Sequence, residues 1–157
     1  ATLYSTCADV LAIMGPSGAG KSSFIRALTL EAFSLKSTGL VTLNGVPVSG
    51  NLLKQHFFVV KQFDKHWPHL TCREALTYAA QLYDVGETQE DRDTAVDEML
   101  KKMGMVKCSD TKCMRLSGGE QRRLSIATAL LKQARVIFLD EPTSGKFNQI
   151  IFLQNHS

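Results

Sequence analysis

Long apolar runs, paired cysteines and a strong excess of either charge are all missing from these 157 residues. Each absence removes a class of protein. A membrane-spanning helix needs roughly 18 or more consecutive apolar residues. The longest runs here, "VLAIM" and "VIFL", are strand-sized, so the chain is expected to have no transmembrane segment. The cysteines Cys7, Cys72, Cys108 and Cys113 make no CxxC pair and have no histidines at zinc spacing, which reads as reduced cytosolic thiols. His66 and His69 in "HWPH" lack a third ligand nearby and read as a solvated loop around Pro68. A net charge of +3 is too small to argue for a nucleic-acid partner. No basic region followed by an apolar one marks a signal peptide, and the chain starts at Ala1, as a fragment or a processed product would. There are no internal repeats and no low-complexity segment. What remains, at 44% hydrophobic and 21% charged residues, is the composition of one ordinary globular domain.

Periodicity divides the chain. "DVLAIM" (Asp9 to Met14) is almost wholly apolar and meets a Gly-rich turn, which predicts a buried parallel strand. Phe24, Ile25, Leu28 and Ala32 then share one helical face. Asn44-Gly45 between two β-rich runs predicts a hairpin, with Pro47 marking its second arm as an edge. "FFVV" (Phe57 to Val60) and "RVIFLD" predict buried strands. Thr71 with Glu74 forms a capping box opening a helix that buries Leu76, Ala79, Ala80 and Tyr83. Thr88 and Asp91 open another, with Val96, Met99, Leu100 and Met103 on its face and Gly104 closing it. A third covers roughly Glu120 to Gln133 and buries Leu124, Ala127 and Leu131. The expected fold is α/β: a parallel sheet core with an antiparallel hairpin and a helical subdomain inserted between core strands, a core that the phosphate-loop stretch "GPSGAGKS" makes P-loop NTPase-type.

The chemistry lies between these elements. "GPSGAGKS" (Gly15 to Ser22) fits G-x-x-x-x-G-K-[ST], with a strand before it and a helix after it. Gly15, Gly18 and Gly20 let the backbone curl so that N–H groups converge on phosphate oxygens, and the helix N-terminus adds partial positive charge. Lys21 is a point charge for the β- and γ-phosphates, and Ser22 offers a hydroxyl to Mg²⁺. Asp140 and Glu141 end a buried strand at the edge where α/β sheets bind ligands. Asp140 is the candidate metal residue and Glu141 the candidate general base. Ser117, Gly118 and Gly119 stand at a helix start, as a second anion-binding end or as an ordinary N-cap followed by Glu120. Two anion sites in one chain suggest that the second serves a nucleotide held by a partner chain.

"GPSGAGKSS", "LSGGEQRR" and "FLDEPTSG", in this order, resemble the nucleotide-binding domain of an ATP-binding cassette (ABC) transporter. "KQFDKHWPHLTCREALTYAAQLY" and "LSIATALL" are most similar to the eukaryotic G subfamily of lipid, sterol and drug exporters. The resemblance implies an ATPase with ATP and Mg²⁺ as cofactors. It makes Gly15, Pro16, Ser17, Gly18, Ala19, Gly20, Lys21, Ser22 and Ser23 the Walker A nucleotide site. Asp140 becomes the Walker B metal residue, Glu141 the catalytic glutamate, and Gln62 the Q-loop residue touching metal and water. Ser117, Gly118, Gly119 and Glu120 become the signature that closes over the ATP of an opposite subunit. The implied partners are a second cassette in a head-to-tail dimer and the transmembrane domain of an exporter, with no nucleic acid. The implied place is the cytoplasmic face of a membrane. Residues 1–145 are then the cassette, with a helical subdomain at about 64–118, and 146–157 a divergent tail.

The chain departs from the family pattern after Gly145, where Lys146-Phe147 replaces the Leu-Asp of the D-loop. The segment preceding the phosphate loop is also shorter than the family's, and Tyr4 is a weak substitute for its adenine-stacking aromatic. "QIIFLQNHS" looks like a strand ending in a histidine, His156, but only eight residues, Glu141 to Asn148, separate it from Asp140. A parallel crossover needs a dozen or more residues. The run is therefore expected as an antiparallel edge or a loose tail, and not as the family's switch-histidine strand. Three functions follow: a transport ATPase module, a truncated cassette that binds ATP with little turnover, or a soluble cassette protein of translation or DNA maintenance. The third would show a second cassette or long basic insertions, which this sequence lacks.

Overall fold

A computed structural model describes residues 10–16, 18–29, 39–61 and 66–140, and 149–153 as backbone. Two compact units emerge, Ala1–Gln62 with Ala134–Ser157, and Phe63–Gln133.

The first unit carries β1 (Val10–Ile13), α1 (Lys21–Leu28), β2 (Thr42–Leu43), β3 (Val46–Pro47), α2 (Gly50–His56), β4 (Phe57–Val60), β5 (Val136–Asp140) and β6 (Gln149–Leu153). β2 and β3 are the expected hairpin: Asn44 (φ 52°) and Gly45 (φ 79°) take the positive angles of a tight turn. The other strands form a four-stranded sheet in the order β1-β6-β5-β4. β4 and β5 are parallel, Phe57 opposite Val136 through Val60 opposite Leu139. β6 is antiparallel to both of its neighbours, β1 and β5. The sheet is therefore mixed, where a parallel core was expected. β1 corrects a second expectation. It is antiparallel to its neighbour, and Val10 is 59% exposed, so it is a half-exposed strand. β6 corrects a third: its direction is antiparallel as the short connection requires, but it lies inside the sheet instead of at its edge. The physical reason is pairing: in this position both backbone sides of β6 have ladder partners.

The core of this unit is Ile25 from α1, Phe57 from β4, and Val136 and Phe138 from β5. The Phe57 and Phe138 rings stack at 5.7 Å between centroids, a contact worth about 0.5–1.5 kcal/mol beyond simple burial. Leu28 packs against this core, but Phe24 is 40% exposed, so the buried stripe of α1 is narrower than the periodicity suggests. Ala32 lies outside the described residues. The short helix α2 was not anticipated. Ser49 caps it by accepting a bond from Leu52 N–H at 3.3 Å, and Leu52 and Leu53 pack toward Phe57.

The second unit is helical: α3 (Cys72–Leu82), α4 (Gln89–Lys102) and α5 (Gly118–Leu131), with single 3₁₀ turns at Val106–Cys108 and Cys113–Arg115. The expected capping box forms at Thr71 with Glu74, and the helix start expected at Thr88 and Asp91 is a second capping box. Leu76, Ala80, Val96, Leu100, Leu124 and Ala127 are fully or almost fully buried in one cluster. Gly104 (φ 64°) ends α4, and Met105 N–H returns to the Leu100 carbonyl at 2.8 Å. The unit extends past residue 118 to Gln133, because α5 contributes Leu124, Ala127 and Leu131 to the cluster that holds Leu76 and Leu100.

Candidate functional site

The first unit builds the candidate phosphate site from its backbone. Register places Ile13 of β1 opposite Gln149, and Gln149 opposite Asp140 of β5. The strand that feeds the loop and the strand that ends in acid thus reach the same sheet edge. The loop then turns through Gly18 (φ 80°) and Gly20 (φ 85°). No heavy atom comes within 4 Å of an added Cβ at either position, so glycine is needed there for its backbone angles and not for space. Gly20 is the N-cap of α1 and supplies no side-chain cap, and the first turn of α1 holds no acid. Its N-terminus therefore keeps its partial positive charge without an acid of its own to offset it.

The side chains agree with that reading. Lys21 Nζ donates to the carbonyl oxygens of Gly15 at 2.9 Å and Pro16 at 2.8 Å, folding back over its own loop. Ser22 Oγ donates to Asp140 Oδ1 at 3.1 Å across 118 residues of sequence. Adjacent oxygens of an octahedral Mg²⁺ at about 2.05 Å from the metal are about 2.9 Å apart. The observed spacing fits such a pair, so these two groups suit the metal that the sequence implies. Ala19 and Ser23 lie in the loop and on α1. Ser17, Gln62 and Glu141 lie outside the described residues, as do Tyr4, Lys146, Phe147 and His156. Among the described residues no cluster of three or more His, Cys, Asp or Glu could hold a metal.

The signature stretch sits in the second unit, at the start of α5. Ser117 Oγ accepts from Glu120 N–H at 3.3 Å, while the Glu120 carboxylate accepts from Ser117 N–H at 2.8 Å and Ser117 Oγ at 2.6 Å. The side-chain and then the backbone bond from Ser117 hold the Glu120 carboxyl below its usual range. Glu120 is thus the cap of α5, and the motif is a full capping box. Ser117, Gly118 and Gly119 are exposed, and nothing crowds the Cβ position of Gly118 within 4 Å.

Two positioning residues escaped the sequence reading. The Gln121 amide donates to the carbonyls of Leu116 (3.2 Å) and Cys113 (3.4 Å), bracing the turn before the signature. His66 Nε2 lies 2.9 Å from Ser125 Oγ and 3.1 Å from the Gln121 carbonyl. His66 is therefore half-buried and anchored on α5, while Trp67, Pro68 and His69 are exposed as expected. The signal for Gln121 was present in "GGEQRR"; a contact spanning 59 residues, His66 to Ser125, leaves none.

A strand, a glycine loop and a helix facing an acidic strand end define a nucleotide-binding domain of the P-loop class. The family model described as ABC transporter matches residues 2–144, and the chain belongs to that family. It is a nucleotide-binding domain of the G subfamily. It is 41% identical over 146 residues to "ABC transporter G family member 7" of Arabidopsis thaliana, covering 87% of this chain and 20% of that protein. To "ATP-binding cassette sub-family G member 8" of Homo sapiens it is 36% identical over 144 residues, covering 87% and 21%. "ABC transporter G family member 1" of Dictyostelium discoideum is 38% identical over 144 residues, covering 87% and 18%. The chain thus spans about one fifth of the length of these relatives. Among the described residues no helix is long and apolar enough to cross a membrane.

Proposed function

We propose that this domain binds Mg·ATP as the cassette of a membrane exporter of lipids, sterols or drugs. The observation that carries the reading is the Ser22–Asp140 contact, which joins the phosphate loop to the acidic strand. In this reading the residues from Gly15 to Ser23, Ser17 included, surround the phosphates, with backbone N–H groups donating at every position but Pro16, which has none, and Lys21 exchanges its two carbonyl partners for β- and γ-phosphate oxygens. Ser22, Asp140 and Gln62 would hold Mg²⁺, which when bound would supply positive charge to the phosphates. Glu141 takes the proton of the attacking water. Ser117, Gly118 and Gly119, positioned by Glu120, cover the nucleotide of a second cassette in a head-to-tail dimer.

The helical unit would dock on a transmembrane domain at the cytoplasmic face of a membrane. Its exposed Trp67, Tyr78 and Leu82 support this, Tyr78 and Leu82 lying one turn apart on α3.

A second reading, ATP binding with little turnover, is favoured by β6. That strand runs away from the phosphate edge, and Leu153 stands opposite Val136 at the far end of β5.

Calorimetric titration tests the proposal. Losing one charge-assisted contact is worth about 1.5–3 kcal/mol, so Lys21→Ala is expected to weaken Mg·ATP binding by roughly 10- to 150-fold. Unchanged affinity would remove the phosphate-loop assignment.

A further inference from the structure

The small net charge of the chain hides a strong separation of charge in the helical unit. Residues 84–93 hold five acids and one base, Arg92. Residues 101–115 hold five bases, Lys101, Lys102, Lys107, Lys112 and Arg115, and one acid, Asp110. The five acids and the five bases are all exposed. Helix α4 carries the chain from the acidic stretch to the basic one, and its 14 residues rise about 21 Å. Lys101 and Lys102 have a local duty there, since cations in a last turn offset the partial negative charge of the helix end. Lys107, Lys112 and Arg115 have no such duty. They lie beyond α4, and Lys112 and Arg115 precede the positive end of α5, where bases are unfavourable. Neither Lys107 nor Arg115 has an ion pair or a side-chain hydrogen bond among the described residues. Glu74 offsets the charge of Lys112 in part.

The two 3₁₀ turns repeat one arrangement. In each, a buried sulfur residue is followed by an exposed apolar residue and an exposed base: Met105, Val106 and Lys107, then Cys113, Met114 and Arg115. Val106 is 55% and Met114 59% exposed. Arg73 N–H bonds to the Ser109 carbonyl at 2.9 Å, and Cys113 N–H bonds to the Leu70 carbonyl at 2.8 Å. Both turns are therefore pinned to residues 70–73, and two apolar tips with bases beside them stand on one braced stretch of backbone.

We propose that these two turns dock the helical unit on an anionic bilayer surface, with Val106 and Met114 entering the headgroup layer and Lys107, Lys112 and Arg115 meeting the lipid phosphates and carboxylates. Charge complementarity selects this occupant. A leaflet rich in anionic lipid strengthens binding by about fivefold for each base near its surface. It repels the acidic start of α4, so the separation of charge also orients the unit. An apolar tip beside a base suits the boundary between headgroups and acyl chains. RNA would engage the bases and leave Val106 and Met114 in water. The surface uses none of Trp67, Tyr78 and Leu82.

The test is flotation of the full chain, without nucleotide, with vesicles of one part phosphatidylserine to three parts phosphatidylcholine. The chain is expected to bind these vesicles and not phosphatidylcholine alone, and to be released as salt is raised. Lys107→Gln with Arg115→Gln is expected to weaken binding about 25-fold, fivefold for each lost charge. Met114→Ser is expected to weaken it while leaving its dependence on salt unchanged. Equal binding to both vesicles, binding to neither, or full binding by the double variant overturns the proposal. So does tighter binding to single-stranded RNA than to the vesicles. Self-association in analytical ultracentrifugation that the double variant abolishes would overturn it too, giving the surface to the acidic stretch of a second copy. The salt series uses the unchanged chain, so a folding defect in a variant does not blur it. Vesicle binding is read without ATP and nucleotide binding without vesicles, so either reading can fail alone.

Discussion

Replacing Asp140 by Asn separates metal binding from phosphate binding. Asp140 Oδ1 accepts from Ser22 Oγ at 3.1 Å, and the asparagine carbonyl oxygen can still accept that bond. The change therefore removes a charge while sparing the contact. In the presence of Mg²⁺ it deletes a charged ligand, a loss of about 1.5–3 kcal/mol or roughly 10- to 150-fold in affinity. In the presence of EDTA the sign reverses. A carboxylate about 6 Å from a phosphate charge costs about 3 kcal/mol at an effective dielectric of 20, and solvent screening lowers that figure. Asp140→Asn should then bind metal-free ATP as tightly as the unchanged protein, or more tightly. Titration with a fluorescent ATP analogue, with and without Mg²⁺, measures both arms. The expected result is a ratio of the two affinities that falls toward one. If both arms weaken equally, Asp140 serves the fold of the loop and not the metal. If neither changes, the site is elsewhere.

Other consequences concern turnover and stability. Hydrolysis by this chain is expected to be slow, with Glu141→Gln changing the phosphate-release rate little; fast hydrolysis that is dimer-dependent and lost in that variant would exclude the low-turnover reading. Gly86→Ala forces an alanine to φ +70° and brings its Cβ to 2.5 Å from Asp91 Cβ, beside the cap of α4. Strain and overpacking together predict a loss of about 2–4 kcal/mol, readable as a lower urea midpoint of the helical unit. Alkaline pH should also weaken that unit. Burial, followed by the neighbouring thiols, raises Cys72 to about 12, so its protonated form is favoured in the folded state. That stabilisation is complete below the unfolded value of about 8.5. It is lost as pH rises toward 12, at up to about 1.4 kcal/mol per pH unit. Cys72→Ala should flatten the high-pH limb of a stability-against-pH curve, and an unchanged slope would contradict the raised value.

What could be read in advance follows the range of the forces involved. Thr71 with Glu74 and Thr88 with Asp91 act across three residues, and both helix starts form as expected. Asn44-Gly45 likewise carries its own turn. Direction and slot in a sheet are set by distant partners. "VLAI" has the apolar content of a parallel core strand, yet β1 is antiparallel and half-exposed. The length of the 141–148 connection was enough to exclude a parallel β6, because chain reach is a local constraint. It could not say that β6 would separate β1 from β5, which depends on where both already lie.

The helix starts divide the chain between folding and function. α3, α4 and α5 each begin with a carboxylate, Glu74, Asp91 or Glu120, bonded back to the cap residue. Each of these starts therefore carries its own negative charge. α1 has neither acid nor side-chain cap. Forgoing a cap costs about 0.5–2 kcal/mol, and a capping carboxylate there would repel phosphate. The Lys21 ammonium bonds to the Gly15 and Pro16 carbonyls, keeping positive charge at the loop without closing the helix end with an acid. The signature helix is the mixed case, since Glu120 already occupies its positive end. A phosphate approaching Gly118 and Gly119 would meet that carboxylate, so α5 is built to position a turn more than to bind an anion by its dipole. On the proposed reading, that difference gives the chain's own nucleotide to the phosphate loop and leaves the signature to act against the nucleotide of a second cassette.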